Sequence, residues 1–373
     1  MLTSLPFLRR AFPPGLILAF LPMSASLAAP SLPVFFGNYA DAIRAADFDP
    51  ATGSLKNDRA AAPLPKASFL ARSADGRFLY AVAEAKEGAI HAYAIDERFN
   101  LRPLNSRPSE GASPCDVSLS PDGRFIAAAN YTGGSVIVYR VESDGRLGEK
   151  AAFFQHTHAT SVNPKRQNAP HAHGVTWAPG GRLLLVPDLG GDRVYLYAYE
   201  PSTGAFAPNP PQAWLDIPAG AGPRHAQFSP DGRHLYVINE LANTVTVAAF
   251  DAKAAMFTLV ENVATLPEDF SGPSTTAEIL VHPAGHTVYA SNRGADTIAI
   301  FARNADTGRL TPRGQISVPA NPRHFTLSPN GRWLLCSGQS ADKIAVFSVD
   351  PKSGALTSAG EPFTTPKPVC VRF

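Results

Sequence analysis

Four of the ten histidines lie within one twenty-residue segment, residues 155–174. They form two His-x-His pairs, His156 with His158 and His171 with His173. Residues two apart on an extended chain point to the same face, so each pair presents two imidazoles together. Imidazoles can act as general bases near neutral pH or bind zinc. This segment is therefore the first candidate for chemistry.

The elements that must position these side chains come from a repeat. Pro-Asp-Gly-Arg occurs at residues 121–124 and 230–233, and degenerate copies contain Gly76, Gly181, Gly285 and Gly331. The copies recur about every 50 residues, a period typical of propellers and solenoids. Asp-Gly and Asn-Gly favour tight hairpin turns, because glycine adopts positive φ without steric cost. Asp75, Asp122 and Asp231 are accordingly predicted to be turn residues.

Runs of Val, Ile, Leu, Tyr and Phe follow each turn and predict strands. A second strand, a second Gly-containing turn and an outer strand complete four antiparallel strands per unit, which is a propeller blade. Residues 368–373 resemble an innermost strand, whereas residues 34–39 resemble a second strand that lacks its first. The sequence therefore predicts an all-β, seven-bladed β-propeller of four-stranded antiparallel blades, closed by pairing of the N- and C-terminal strands. An open β-solenoid is the alternative.

Residues 1–29 have the features of a secretion signal, with Arg9-Arg10 ahead of an apolar run and small residues at 26–28. The apolar run is too short to span a bilayer. We expect a cleaved signal peptide (1–29), a propeller domain (30–373) and a periplasmic or secreted location, with either general or twin-arginine export. The formal net charge of +2 without a basic tract argues against nucleic acid as a partner. A closed ring needs no partner, so a monomer is expected.

The chain lacks the sequence motifs that commonly mark a nucleophilic serine or a reactive pair of cysteines. The chain has no Gly-x-Ser-x-Gly sequence, which marks the serine nucleophile of many hydrolases. Its three cysteines, Cys115, Cys336 and Cys370, lie in predicted strands without Cys-x-x-Cys spacing. An odd number argues against a disulfide framework, so buried free thiols are expected. A Cys115–Cys370 bridge is the alternative.

A series of short motifs, taken together in their order, resembles the seven-bladed propeller lactonases, which include 6-phosphogluconolactonases and carboxymuconate lactonising enzymes. The motifs are at residues 161–167, 171–174, 186–190, 222–225, 238–240, 291–294, 322–324 and 337–339. Carried over position by position, the resemblance implies a catalytic set of His173, Arg224, Glu240 and Arg293. It implies substrate-binding neighbours at His171, Asn163, Arg166 and Gln339. It implies no cofactor and no metal.

The resemblance implies hydrolysis of a sugar lactone, which is a cyclic ester. Glu240 or His173 would activate a water molecule as general base. Arg224 and Arg293 would stabilise the oxyanion or hold an anionic group of the substrate. A cycloisomerase would differ only in using an internal carboxylate of the substrate in place of water.

Other classes of function stay open at this point. Zinc could be held by the four histidines of residues 155–174. Calcium could be held by the oxygens of Asn130, Asp188, Asn239 and Glu240, as in gluconolactonase-like propellers. A non-catalytic propeller that binds a ligand or a protein is the third alternative, because a fold does not determine a function.

Some recurring residues indicate scaffold roles. Arg224 and Arg323 occupy equivalent positions in the repeat, as do His225 and His324, so at least one pair is expected to be structural. An asparagine recurs at the end of the second strand, at positions 38, 130, 239 and 292. Such recurrence suggests turn chemistry, with each asparagine bonded to its own backbone.

Overall fold

The computed structural model describes residues 1–2 and 31–373 of the chain. Residues 32–372 form seven antiparallel sheets arranged as a β-propeller, which confirms the predicted fold. The predicted signal peptide lies outside the described residues apart from its first two positions. In the described ranges the single helical element is a 3₁₀ turn, η1 (Gln339–Ala341). No helix there has the length and apolarity that a membrane crossing needs.

Each blade runs outward from an innermost strand that lines the central channel. Blade 1 consists of β30 (Pro368–Arg372), β1 (Leu32–Asn38), β2 (Ala42–Phe48) and β3 (Leu55–Pro63). Blade 2 consists of β4 (Ala67–Arg72), β5 (Phe78–Ala83), β6 (Ala89–Ile95) and β7 (Leu101–Pro108). Blade 3 consists of β8 (Pro114–Leu119), β9 (Phe125–Asn130), β10 (Ser135–Val141) and β11 (Leu147–Gln155).

The remaining blades follow the same order, with the outermost strand split in two in blades 4 and 7. Blade 4 consists of β12 (Thr176–Trp177), β13 (Leu183–Asp188), β14 (Arg193–Glu200), β15 (Ala205–Pro208) and β16 (Trp214–Asp216). Blade 5 consists of β17 (Pro223–Phe228), β18 (His234–Asn239), β19 (Thr244–Asp251) and β20 (Met256–Ala264). Blade 6 consists of β21 (Thr275–Val281), β22 (Thr287–Arg293), β23 (Thr297–Arg303) and β24 (Leu310–Ser317). Blade 7 consists of β25 (Pro322–Leu327), β26 (Trp333–Gly338), β27 (Lys343–Val349), β28 (Leu356–Ser358) and β29 (Phe363–Thr364).

The ring closes as predicted, by antiparallel pairing of the last strand with the first. Phe36 pairs with Val371 and Gly37 with Cys370, so β30 becomes the innermost strand of blade 1. Gly37 has no room for a side chain, because a Cβ there would lie 2.7 Å from the carbonyl oxygen of Ala67. Closure of this kind leaves no open inner sheet edge.

The Asp-Gly turns are built as their sequence predicts. In the turn between β8 and β9, Asp122 accepts hydrogen bonds from the Ser120 hydroxyl and the Arg124 backbone N–H, and Gly123 has φ of 70°. Asp75 and Asp231 accept the corresponding bonds in their own blades. All three aspartates are therefore turn residues, as expected.

Neighbouring blades are joined by a recurring contact. A tyrosine of one blade's second strand donates its hydroxyl to a glycine carbonyl in the next blade: Tyr80 to Gly145, Tyr236 to Gly308 and Tyr289 to Gly354. Between blades 7 and 1 the indole N–H of Trp333 takes this part and donates to Pro50. The contact buries these large aromatic side chains between blades, and each ring removes a large apolar surface from water.

The recurring asparagines differ from the expectation in one respect. Only Asn38 bonds its own turn, accepting from the Ala40 N–H. Asn130 donates to the Ser109 carbonyl and the Ser135 hydroxyl, and Asn239 donates to the hydroxyls of Thr244 and Thr246. These side chains therefore link the second strand to the third or to an adjacent loop. The hydroxyls of Ser135 and Thr244 lie directly across the hairpin from Asn130 and Asn239, so strand pairing places them next to the buried amides.

All three cysteines are free and buried, as predicted. Burial raises the pKa of the Cys115 thiol well above its usual range and that of Cys370 to about 12. Cys115 and Cys370 lie in blades 3 and 1, with the innermost strand of blade 2 between them. No disulfide forms.

Candidate active site

One mouth of the central channel collects a group of charged side chains, among them Glu84, Glu240, Arg293 and Arg323. Innermost strands begin at this end, and the second strands end here. In four blades the residue that directly follows the second strand lines a cavity of about 410 Å³, namely Tyr39, Glu84, Tyr131 and Glu240. In blade 6 the last residue of the second strand, Arg293, lines the same cavity. The repeat thus places side chains from five blades around a common centre.

The segment between β11 and β12, which contains the four histidines, folds back over this mouth. It is held by two buried aspartates near the turn between β13 and β14. Asp188 accepts hydrogen bonds from the backbone N–H of His171 and from His156 Nδ1. Asp192 accepts from the Gln167 side chain and the Thr160 hydroxyl. Two buried carboxylates therefore fix the segment, and with it Arg166 and His173.

Glu240 is the centre of a cluster of arginines. Its Oε1 accepts a hydrogen bond of 2.6 Å from Arg166 Nη2. Its Oε2 lies 3.0 Å from Arg293 Nη2 and 3.2 Å from Arg224 Nε. Burial opposes ionisation of this carboxyl, but the three positive charges prevail and lower the pKa of Glu240 to about 2. Glu240 is therefore a carboxylate at neutral pH.

Arg224 lies beneath Glu240, and its side chain is only 1% exposed. Its Nη1 donates to the Ala277 carbonyl of the neighbouring blade. Arg293 lies at the cavity wall, where Nη2 also donates to the Thr276 carbonyl. Burial lowers the pKa of Arg293 to about 10, so its guanidinium stays charged at neutral pH.

His173 lies beside the cluster and is neutral. Its Nε2 is 3.6 Å from Glu240 Oε2, and its Nδ1 is 3.7 Å from Cys115 Sγ. Burial, followed by the charge of Arg224, holds the pKa of His173 well below its usual value. The short distance to Glu240 is therefore not an ion pair. His173, Arg224, Glu240 and Arg293 converge as predicted, while their catalytic roles stay a prediction.

A second carboxylate lies in the cavity wall, and the sequence analysis missed it. Glu84 accepts hydrogen bonds of 2.9 Å from the Tyr39 hydroxyl and lies 3.3 Å from Arg323 Nη2. The Arg323 guanidinium also stacks over the Tyr39 ring at 5.4 Å. These three residues come from blades 2, 1 and 7. The sequence does contain an indication of this second cluster. Glu84 directly follows its second strand as Glu240 does, and Arg323 occupies the repeat position of Arg224.

A buried polar layer lies one residue deeper along the innermost strands. Glu278 lies 3.0 Å from His225 Nδ1 and 3.6 Å from His324 Nε2. Phe69 packs edge-on against both imidazoles. His225 also contacts the Arg224 guanidinium. This layer agrees with a scaffold role for the pair His225 and His324.

The four predicted substrate-binding residues are placed differently from one another. Arg166 lines the cavity. Asn163 forms the turn that precedes Arg166, accepting from the Lys165 N–H. His171 stacks on Tyr131 with ring centroids 4.5 Å apart, and Gln339 begins η1; neither is among the residues that line the cavity. Direct contact of Asn163, His171 and Gln339 with substrate therefore stays a prediction.

The donor sets proposed for zinc and calcium are not assembled. His156 is bound to Asp188 and stacks on Tyr195, whereas His171 donates Nδ1–H to the Tyr131 carbonyl. Within residues 1–2 and 31–373, no three His, Cys, Asp or Glu side chains are grouped so that they could hold a metal ion. The amide of Asn130 is bonded to the Ser109 carbonyl of the preceding loop, and that of Asn239 to the Thr246 hydroxyl.

Comparison with known proteins agrees with this architecture. A family profile described as "Lactonase, 7-bladed beta-propeller" matches residues 33–373, nearly the whole described propeller. The chain belongs to the seven-bladed β-propeller lactonase family. It is accordingly an enzyme of the lactonase type, and the resemblance drawn from the ordered motifs is confirmed.

Individual relatives of this lactonase are similar over most of their length. The 6-phosphogluconolactonase of Bacillus subtilis is 32% identical over 75% of this chain and 79% of its own. The 6-phosphogluconolactonase of Formosa agariphila is 28% identical over 78% of this chain and 85% of its own. The solved structure of the Pseudomonas aeruginosa periplasmic gluconolactonase superposes with a TM-score of 0.86 at 31% identity, covering 92% of this chain and 99% of that one.

Proposed function

We propose that the protein hydrolyses the ring ester of a sugar lactone in the cavity around Glu240. One observation carries the proposal, namely the charge balance of the site. Arg166, Arg293 and Arg323 line the cavity against two glutamates, and Arg224 lies directly underneath. Four positive charges thus face two negative ones. Such an excess favours the oxyanion that forms when water adds to the lactone carbonyl.

The arginines have the donors this chemistry needs. The fork of a guanidinium can stabilise an oxyanion or bind a carboxylate or phosphate of the substrate through two N–H bonds. Arg166 is the most exposed of the Glu240 partners, with 37% of its side chain accessible, and it reaches in from the loop over the mouth. A cavity of about 410 Å³ falls in the size range of small-molecule sites.

Glu240 is proposed to act chiefly by holding the arginines in position. Three guanidiniums held by one carboxylate are fixed in position before substrate arrives, so no reorganisation is needed during the reaction. His173 then acts as a neutral neighbour that packs against the carboxylate without adding charge. These proposed roles keep Arg224 and Arg293 as the cationic groups of the predicted set, but they differ from the general-base role that the resemblance implies for Glu240 or His173.

The first test is lactone hydrolysis by the mature protein, followed by proton release in weak buffer. The panel is glucono-lactone, 6-phosphoglucono-lactone and carboxymuconolactone, each with and without a chelator. We expect turnover of the sugar lactones well above the spontaneous rate, unchanged by the chelator. Inorganic phosphate is expected to compete, because it fits the same excess of positive charge.

Each alternative has its own outcome in this assay. Rates equal to the spontaneous background on every lactone would contradict the proposal and favour a binding propeller. Loss of activity with the chelator would favour a metal enzyme. Preference for carboxymuconolactone would favour the cycloisomerase chemistry.

We further propose that the protein is exported and that residues 30–373 form a monomeric mature domain. The basic and apolar features of residues 1–29 support export, and the ring closed by β1 and β30 supports a monomer. Intact-mass measurement and light scattering on protein recovered from the periplasm test both points. We expect a chain that begins near residue 30 and a single-copy mass. A full-length chain in the cytoplasm would contradict the export proposal.

A further inference from the structure

We propose that Glu84 is the general base that takes the proton from the attacking water. This assignment rests on the proposed lactone hydrolysis and deepens it. The resemblance to known lactonases points instead to Glu240 or His173. The geometry of the cavity favours Glu84, because it has a carboxylate that is exposed to substrate and held in place without being surrounded by cations.

Glu240 has little capacity left to accept a proton from water. Its Oε1 accepts a hydrogen bond from Arg166, its Oε2 is buried in ion-pair contact with Arg293 and Arg224, and the side chain is only 4% exposed. A carboxyl whose pKa lies near 2 is a weak base at neutral pH, because efficient general bases have pKa values closer to the working pH. Protonation would also leave Arg224 and Arg293 without their counter-charge.

His173 is unsuitable for a related reason. Its side chain is 6% exposed, and this burial, followed by the nearby charge of Arg224, disfavours an imidazolium there. A base must carry the proton for part of the cycle, and this site resists a further positive charge. His173 therefore contributes packing rather than proton transfer.

Glu84 differs from both in its partners and its exposure. Its side chain is 21% exposed and lines the same cavity as Arg293 and Arg166. One arginine, Arg323, faces it at 3.3 Å, and the Tyr39 hydroxyl donates to it at 2.9 Å. Burial raises the pKa of Tyr39 well above its usual range, so Tyr39 stays protonated and remains a donor. Two neighbours thus orient the carboxylate while leaving acceptor positions free for a water molecule.

The proposed hydrolysis needs only water and the lactone, and Glu84 is regenerated at the end. Glu84 takes one proton from water as the water oxygen bonds to the lactone carbonyl carbon, and the carbonyl electron pair moves to oxygen beside the arginines. The tetrahedral adduct then collapses, and the bond between the carbonyl carbon and the ring oxygen breaks. The ring oxygen leaves with the proton from Glu84. The product is the open hydroxy acid, which ionises in solution, and Glu84 returns to a carboxylate.

Steady-state kinetics of Glu84→Gln tests the assignment on the best lactone found for the wild type. Glutamine can still accept the Tyr39 hydrogen bond but cannot take the proton. We expect kcat to fall about 10²- to 10⁴-fold, the usual contribution of a general base, with KM little changed. Glu84→Asp is expected to recover part of the rate. Glu87→Gln is the matched control, because Glu87 is an exposed glutamate on the same loop, and it should leave both constants unchanged.

The possible results distinguish the assignment of Glu84 as base from the proposed lactone hydrolysis itself. A raised KM with unchanged kcat, or a fully active Glu84→Gln, would overturn the assignment and leave lactone hydrolysis intact. An inactive wild type would already have overturned the proposed function, before any variant is made. Circular dichroism checks that Glu84→Gln is folded. If it is not, Glu84→Asp decides, because a shorter carboxylate should lower kcat with little change in KM, whereas equal kinetics would contradict the role as base.

Discussion

Glu240→Gln is expected to lower the unfolding free energy by about 3–5 kcal/mol, the usual result of removing one partner of a buried ion pair. The same change should reduce kcat/KM by about 10²–10³-fold, as when one preorganised oxyanion donor is lost, because the arginines that Glu240 holds would no longer be fixed in position. Both effects have one cause. The carboxylate is the shared partner of Arg166, Arg224 and Arg293, so its loss leaves like charges facing one another in a buried site.

Urea unfolding followed by tryptophan fluorescence measures the first effect, and adding phosphate sharpens the test. An anion that binds only the folded state stabilises it in proportion to its occupancy. The variant has one more uncompensated positive charge than the wild type, so phosphate should stabilise the variant more. Activity measured at saturating and limiting lactone gives the second effect.

Glu261→Gln is the matched control for a glutamate paired with an arginine. Glu261 contacts Arg309 at 2.9 Å on an outer strand, where the glutamate is 16% and the arginine 59% exposed, and its other oxygen accepts from the Leu310 N–H. Glutamine can still accept that backbone bond, so the change removes only an ion pair with a solvent-exposed arginine, which contributes about 1 kcal/mol or less. A Glu240→Gln protein as stable as Glu261→Gln, or one that phosphate does not stabilise further, would contradict the role of Glu240 as the common counter-charge.

The fold could be predicted from sequence because its determinants are local and repeated. The Ser-x-Asp-Gly-Arg turn around Gly123 needs only neighbouring residues, and the same bonds form around Asp75 and Asp231. Closure was predictable because residues 34–39 lack an inner strand that residues 368–373 provide. A repeat therefore encodes both the blade and the ring.

The site was only partly accessible by the same reasoning. The convergence of His173, Arg224, Glu240 and Arg293 followed from matched motifs. Tyr39 and Glu84 lie outside those motifs, and Arg323, which lies in one, was considered only as the repeat equivalent of Arg224. Their contact depends on ring closure, which brings blades 7, 1 and 2 side by side. Aligning the blades on the end of the second strand would have found Tyr39 and Glu84, because both occupy the position of Glu240.

The asparagines show the limit of arguments from local chemistry. Their recurrence was predicted to reflect bonding within each turn, yet Asn130 and Asn239 bond side chains or carbonyls outside the turn. The identity of a hydrogen-bond partner depends on which groups the third strand and the adjacent loop bury nearby. Sequence spacing within one turn does not contain that information.

The protein should lose stability steadily as the pH falls below about 6.5, the ordinary pKa of histidine. Burial holds the folded-state pKa of both His173 and His324 well below that value. His324 also accepts a hydrogen bond from the Val371 N–H on Nδ1, which favours the neutral ring. As the pH falls, these two histidines therefore bind protons in the unfolded chain but stay neutral in the folded one. Stability is complete above the unfolded-state pKa and declines below it, by about 1.4 kcal/mol per pH unit for each histidine.

A second loss should follow at lower pH. Burial opposes ionisation of Glu240, but the charges of Arg293, Arg224 and Arg166 lower its folded-state pKa to about 2. The resulting stabilisation is present above the ordinary glutamate pKa of about 4.3 and disappears as the pH falls from there through about 2. The histidine and glutamate windows adjoin, so the decline continues from near neutral pH into acid.

Urea unfolding midpoints at pH 7.5, 6.5 and 5.5 measure the first window. Two buried histidines together predict a loss of about 2 kcal/mol between the lower two values, because the slope reaches its full size only below the unfolded-state pKa. His324→Gln should remove about 1 kcal/mol of that loss, because glutamine does not titrate, even if it also lowers stability at every pH. Equal stability at pH 7.5 and 5.5 would contradict the neutral, buried state of both imidazoles, and with it the inference that His173 cannot hold a proton during the reaction. The stability curve therefore tests the assignment of the base by a route that does not depend on catalysis.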